Sequence, residues 1–192
     1  MLVTLPSLYP WVLMIAGMIS FECLLVGFIG SGNRRKIFSK EMMKEHFGET
    51  HKNAFNKEPP GGGYPDHGNG FYSTKLSYKD WYEFQLAQRS HKNLLENVTV
   101  IVCSLLILGV VFPITSLILG SIYLITSILY KIGFTMSPEK RVLANMMRHL
   151  SALGLLVMAI VAAIVWSGKS PIGEELPSVE IPRTLNLAET II

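Results

Sequence analysis

The sequence predicts an all-α membrane protein, a bundle of four transmembrane helices, and three observations carry that prediction. Of the 192 residues, 49% are hydrophobic and only 16% charged, whereas soluble globular domains run near a quarter charged. The charges crowd into residues 34–96, leaving long stretches elsewhere almost without them. Four of those stretches reach the roughly 20 residues needed to cross a hydrocarbon core. Lipid offers backbone amides and carbonyls no partner, so segments of this kind satisfy their own hydrogen bonds as helices.

The first span covers about residues 10–30, PWVLMIAGMISFECLLVGFIG, and is followed by Arg34, Arg35 and Lys36. Residues 1–9 carry no side-chain cation, and the apolar run exceeds a signal-peptide core, so it reads as a retained helix. The second span, about 84–112, is entered through DWYEFQLAQRSHKNLLENV and continues as TVIVCSLLILGVVF. Pro113 follows at once, which predicts a tight helical hairpin with the third span, about 114–134. The third ends near Met136-Ser137-Pro138, and the fourth covers about 142–167. Residues 1–167 thus read as one four-helix domain and 168–192 as a C-terminal tail.

Charge asymmetry predicts the orientation. The loop 32–80 carries Arg34, Arg35, Lys36 and six further lysines, and the Ser137–Arg141 turn adds Lys140 and Arg141. The opposite side has only Lys169 and Arg183. By the positive-inside rule the loops face the cytoplasm and both termini face away. Within the loop, PPGGGYPDHGNG (residues 59–70) excludes a helix or strand interior. Glu41 to Lys52 has the pattern of a short surface helix, expected to dip Met42, Met43 and Phe47 into lipid headgroups.

Several functional classes drop out. Cys23 and Cys103 both lie inside apolar runs, so no disulfide framework is predicted, and no Cys/His spacing suits zinc. His46, His51 and His67 read as solvated loop residues rather than metal ligands. A net charge of +3, scattered along the chain, gives no footprint for nucleic acid.

The most informative residues are ionisable ones at membrane depth. Arg89, Asn93 and Glu96 stand at i, i+4 and i+7 and so share one helical face, which Gln85 extends. One reading is that Arg89 snorkels to the interface and pairs with Glu96 or a neighbouring subunit. The other is a polar pocket between helices for a ligand carrying both carboxylates and an amine, since Arg forks bind carboxylates and Glu binds ammonium. Tyr130, near the end of the third span, and Arg141, at the start of the fourth, lie at the same level as Arg34, Arg35 and Arg89. Glu22, mid-span, is expected to make an interhelical hydrogen bond. Arg148 and His149 are expected to reach headgroups, and the Asn97-Val98-Thr99 sequon is discounted as lying within a span.

The run AQRSHKNLLENV resembles the signature of the membrane-associated proteins in eicosanoid and glutathione metabolism, Arg-x-x-x-Asn-x-x-Glu on the second helix. The intervening histidine, with NRRK after the first span and LYKIGFTMSPEKR after the third, looks most like the type-three microsomal glutathione S-transferase branch. The resemblance covers roughly residues 10–36 and 80–167. It implies a homotrimer of four-helix protomers with glutathione as co-substrate at each subunit interface near the cytoplasmic face; an endoplasmic reticulum and a mitochondrial membrane suit the sequence equally. Arg89, Asn93, Glu96 and Tyr130 would hold glutathione, with Arg34 or Arg35 nearby and His91 contributing across the interface. Arg141 would stabilise the thiolate. The chain departs from the pattern at Phe134 (usually tyrosine), Ser127 (commonly arginine) and Asn97 (often aromatic or aliphatic).

Two functions follow from these residues. One is a glutathione transferase or peroxidase acting on lipophilic substrates delivered through membrane lipid. The other is a non-catalytic membrane scaffold, whose Pro/Gly-rich loop and extended tail dock other membrane subunits.

Overall fold

The computed structural model describes residues 5–136, 139 and 141–169. The chain runs through five α-helices: α1 (Tyr9–Ile37), α2 (Lys40–Phe55), α3 (Tyr78–Val111), α4 (Pro113–Met136) and α5 (Arg141–Lys169), with a 3-10 turn at Tyr72–Lys75. No strand occurs among the described residues. Four helices are long and apolar enough to cross a membrane, Tyr9–Ile37, Tyr78–Val111, Pro113–Gly133 and Arg141–Gly168. Most of the Ser137–Arg141 turn, the tail after Lys169 and the side chain of Phe134 lie outside the described residues.

Both α1 and α3 extend past their apolar runs. α1 continues through its basic last turn to Ile37, and α3 begins at Tyr78, well before the hydrophobic stretch. Local chemistry sets these ends. Ser77 caps α3 by accepting from the Asp80 amide at 3.1 Å, while its hydroxyl donates to the Asp80 carboxylate at 2.7 Å. Pro113 opens α4 at the position where a helix needs no amide hydrogen. The Ser116 hydroxyl then donates to the Leu105 carbonyl at 2.8 Å, strapping the α3–α4 hairpin.

The core is built by all four spans: Val12, Ala16 and Ile19 of α1 meet Ile101, Leu105 and Leu108 of α3, Tyr123 and Leu124 of α4, and Leu155, Ala159 and Ala162 of α5. Close approach depends on small residues, as expected where lipid supplies no hydrophobic drive between helices. A Cβ at Gly120 would run into the Leu105 side chain. Large apolar side chains such as Phe21, Phe28 and Ile164 face outward instead.

The long connection between α1 and α3 is folded. Ser39 caps α2 by accepting from the Met42 amide at 3.2 Å, and Asn56 ends the helix in the left-handed region. The surface helix expected from the pattern is present, but its apolar face does not reach outward. Met43 and Phe47 are buried against Phe38 and Phe84, with Met42 packed alongside. They form a second small core at the end of the bundle, and the Phe38 and Phe84 rings meet edge-on at 5.2 Å.

Candidate functional site

The middle of α3 carries Arg89, Asn93 and Glu96 down one side, and α4 and α5 bring their own polar residues to it. Asn93 Nδ2 donates to the Tyr130 hydroxyl of α4 at 2.9 Å. Tyr130 is only 5% exposed. Its ring is covered on one side by Arg148 of α5, whose guanidinium carbon stands 4.5 Å from the ring centroid, within cation–π range. Arg148 Nη2 donates to Asn145 Oδ1 at 3.2 Å. A cavity of about 380 Å³ is lined by Arg89, Asn93, Tyr130, Arg141, Val142 and Asn145. Four of the residues singled out from the sequence therefore line one polar cavity.

The others fall elsewhere. Glu96 and His91 line a larger cavity of about 1000 Å³, and Arg89 and Asn93 line both cavities. Glu96 is exposed and lies 3.9 Å from Lys92 Nζ, an exposed pair of little energetic weight. The His91 imidazole sits against α1 of its own chain, where a Cβ at Gly27 would stand 2.9 Å from Nε2. Arg35 is exposed and lines neither cavity.

Arg34 does different work from the ligand contact expected of it. It is buried, and Nε donates to the Gly62 carbonyl at 2.7 Å while Nη2 donates to the carbonyls of Gly63, at 3.0 Å, and Asp66. Its guanidinium carbon stands 3.9 Å from the Tyr64 ring centroid. The side chain is thus occupied as a clamp on the connection between α2 and α3. Gly63 permits this: its φ is +60°, and a Cβ there would collide with the Phe38 ring.

Arg148 reverses a second expectation. It does not reach headgroups but is 2% exposed inside the bundle, and its Nε and Nη1 have no hydrogen-bond partner among the described residues. The signal was in the sequence: Arg141, Asn145 and Arg148 stand at i, i+4 and i+7, the same spacing as Arg89, Asn93 and Glu96. Glu22 makes the interhelical bond expected of it, accepting from the Ser127 hydroxyl at 2.9 Å. Ser127 is therefore engaged with α1.

Cys23 is buried, Cys103 is exposed on α3, and neither forms a disulfide. Asn97 Nδ2 donates to the Asn93 carbonyl at 2.6 Å. Among the described residues, no group of three or more His, Cys, Asp or Glu side chains gathers around a common point. An apolar groove of about 680 Å³ between α1 and α4, lined by residues such as Met18, Phe21 and Ile128, shares no residue with either polar cavity.

Arg89 and Arg141 beside a half-buried amide and a phenol, with Arg148 against the phenol ring, make an electropositive niche suited to a thiolate or carboxylate. The fold and this niche define a polytopic helical membrane protein with a polar cavity between its helices. The chain belongs to the MAPEG family, whose model matches residues 10–161, including the long connection. No curated protein matches the chain significantly. It is an integral membrane protein of a family concerned with membrane glutathione-dependent transfer, peroxide reduction or eicosanoid metabolism.

Proposed function

We propose that this chain is a membrane-bound glutathione S-transferase or peroxidase, close to the type-three microsomal branch, that activates the glutathione thiol toward lipophilic electrophiles or lipid hydroperoxides. The observation that carries this reading is the single cavity lined by Arg89, Asn93, Tyr130 and Arg141. In this reading Arg89, Asn93 and Tyr130 hold the peptide, and His91 and Glu96 engage it from the adjoining cavity. Arg141 faces the sulfur. Arg34, occupied by loop carbonyls, stands outside the ligand set. The functional unit is a homotrimer, with the loop 32–80 on the cytoplasmic side of an endoplasmic reticulum or mitochondrial membrane.

The chemistry follows from charge. A free thiol has a pKa of about 8.5 and reacts as the thiolate. A guanidinium beside the sulfur favours the anion and raises its fraction at neutral pH. The thiolate then attacks an electrophilic carbon arriving from the bilayer, forming the S–C bond as the leaving group departs. With a lipid hydroperoxide it attacks the terminal oxygen and breaks the O–O bond, releasing the alcohol after protonation. The resulting sulfenic acid condenses with a second glutathione to give the disulfide and water. No nucleophilic protein side chain is needed.

Mixing glutathione with the purified protein at neutral pH tests this directly through thiolate absorbance in the ultraviolet. A saturable signal, lost in Arg141→Ala while the variant stays folded, is expected. A folded wild-type protein that raises no signal at millimolar glutathione would reject the transferase reading. The scaffold alternative would then be followed by isolating the chain in mild detergent and asking whether foreign subunits accompany it in fixed proportion.

A further inference from the structure

The connection between α2 and α3 is held by Arg34 and by the Asp66 carboxylate, which leaves the side chains of His67 and Asn69 uncommitted. Arg34 binds the carbonyls of Gly62, Gly63 and Asp66. The Asp66 carboxylate accepts from the amides of Gly68 at 2.7 Å, Gly70 at 2.9 Å and Ser73 at 2.7 Å, and from the Ser73 hydroxyl at 2.7 Å. Trp81 Nε1 donates to the Gly68 carbonyl at 2.7 Å, and Gln85 reaches the His67 carbonyl at 3.4 Å. Residues 67–69 are thereby pinned along the first turns of α3. The side chains of His67 and Asn69 are exposed and make no hydrogen bond among the described residues. Both line the 1000 Å³ cavity, opposite Gln88, Arg89, Lys92 and Asn93.

We propose that this connection is a preformed wall of the ligand site, and that His67 and Asn69 recognise the peptide portion of the bound thiol. The inference rests on the glutathione reading above and adds to it a source of selectivity. Arg89 and Asn93 line both cavities, Arg141 only the smaller and His67 and Asn69 only the larger, so a ligand whose sulfur lies by Arg141 meets the loop only if it is long enough to extend past Arg89 and Asn93. A tripeptide with carboxylates at both ends meets the imidazole and amide donors on the loop. A single-residue thiol such as N-acetylcysteine stays in the smaller cavity and does not reach them. Because the wall is already fixed by Arg34 and Asp66, little ordering cost accompanies binding.

The test is a thiolate-absorbance titration of wild type and a His67→Ala/Asn69→Ala double variant, each with glutathione and with N-acetylcysteine. In the variant the half-saturating glutathione concentration is expected to rise about tenfold, the loss of two ordinary hydrogen bonds. The response to N-acetylcysteine is expected to be unchanged. Equal titrations of wild type and variant with glutathione would overturn the role of the loop while leaving the glutathione site standing. Equal weakening toward both thiols would overturn it too, as damage to the shared cavity. A wild type that neither raises a thiolate signal nor binds glutathione by calorimetry would remove the underlying reading itself.

Discussion

Arg148 is a cation placed where it is costly, and its surroundings indicate what it does there. A charge buried without full pairing is tolerated only where other interactions compensate. Here one nitrogen meets Asn145 and the guanidinium lies against the Tyr130 ring, while Nε and Nη1 stay unpartnered among the described residues. We read Arg148 as a positioning residue that fixes Tyr130 and adds positive potential beneath the cavity. Replacing it with methionine keeps the volume and removes the charge. The bound thiol should then ionise at higher pH, moving the midpoint of a thiolate titration in the alkaline direction. A lower melting temperature with an unmoved midpoint would reduce Arg148 to a packing residue. Tyr130→Phe is milder: it deletes only the hydroxyl that accepts from Asn93, and glutathione binding should weaken by about 0.5–1.5 kcal/mol. Unchanged affinity by calorimetry would take the phenol out of the site. Of these groups, Asn93 and Tyr130 were legible from the sequence. Arg148 was misread because a cation near a span end snorkels by default, and only the packing of α4 and α5 shows that it points inward.

The connection from α2 to α3 titrates through Asp66. Burial alone would raise this carboxyl, but the Ser73 hydroxyl and the amides of Ser73, Gly68 and Gly70 outweigh it and hold the pKa below the usual carboxylate range. The native loop therefore binds fewer protons than the unfolded one. Its contribution to stability is complete above the unfolded value of about 3.9 and is lost as pH falls through the lower native value. The protection factors of the Gly68, Gly70 and Ser73 amides, taken against the intrinsic exchange rate at each pH, should fall together on acidification below about pH 4. Asp66→Asn should lose the same protection at neutral pH, at a cost of about 1–3 kcal/mol for the bonds it leaves unmade. Protection that is flat with pH and unchanged in the variant would show that the loop is held without Asp66. The Gly/Pro run announced an irregular segment, and the α2 pattern announced a helix. An amphipathic stripe does not say whether its cover is lipid or protein, so the burial of Met43 and Phe47 under Phe38 and Phe84 was not predictable from it.

The whole molecule carries large apolar side chains on its outside as well as in its core, with a glycine, Gly120, where α4 meets Leu105 of α3. Gly120→Leu should overpack the contact with Leu105 and destabilise the fold by about 1–3 kcal/mol, read as a lower melting temperature in detergent. A stable Gly120→Leu protein would mean that α3 and α4 do not approach as closely as described. Native mass spectrometry from mild detergent is expected to give three copies of this chain. A monomer that still generates thiolate would reject the trimeric unit. By itself the sequence determined the four apolar helices, the Pro113 hairpin and the polar face of α3, because these depend on hydrophobicity and helical period within one short segment. Only the tertiary structure decided that Arg34 clamps a loop, that Arg148 lies under Tyr130, that Glu22 meets Ser127 and that His67 and Asn69 wall a cavity. Each of these joins residues far apart along the chain, and no local pattern records which distant groups the packing of helices will bring within hydrogen-bonding reach.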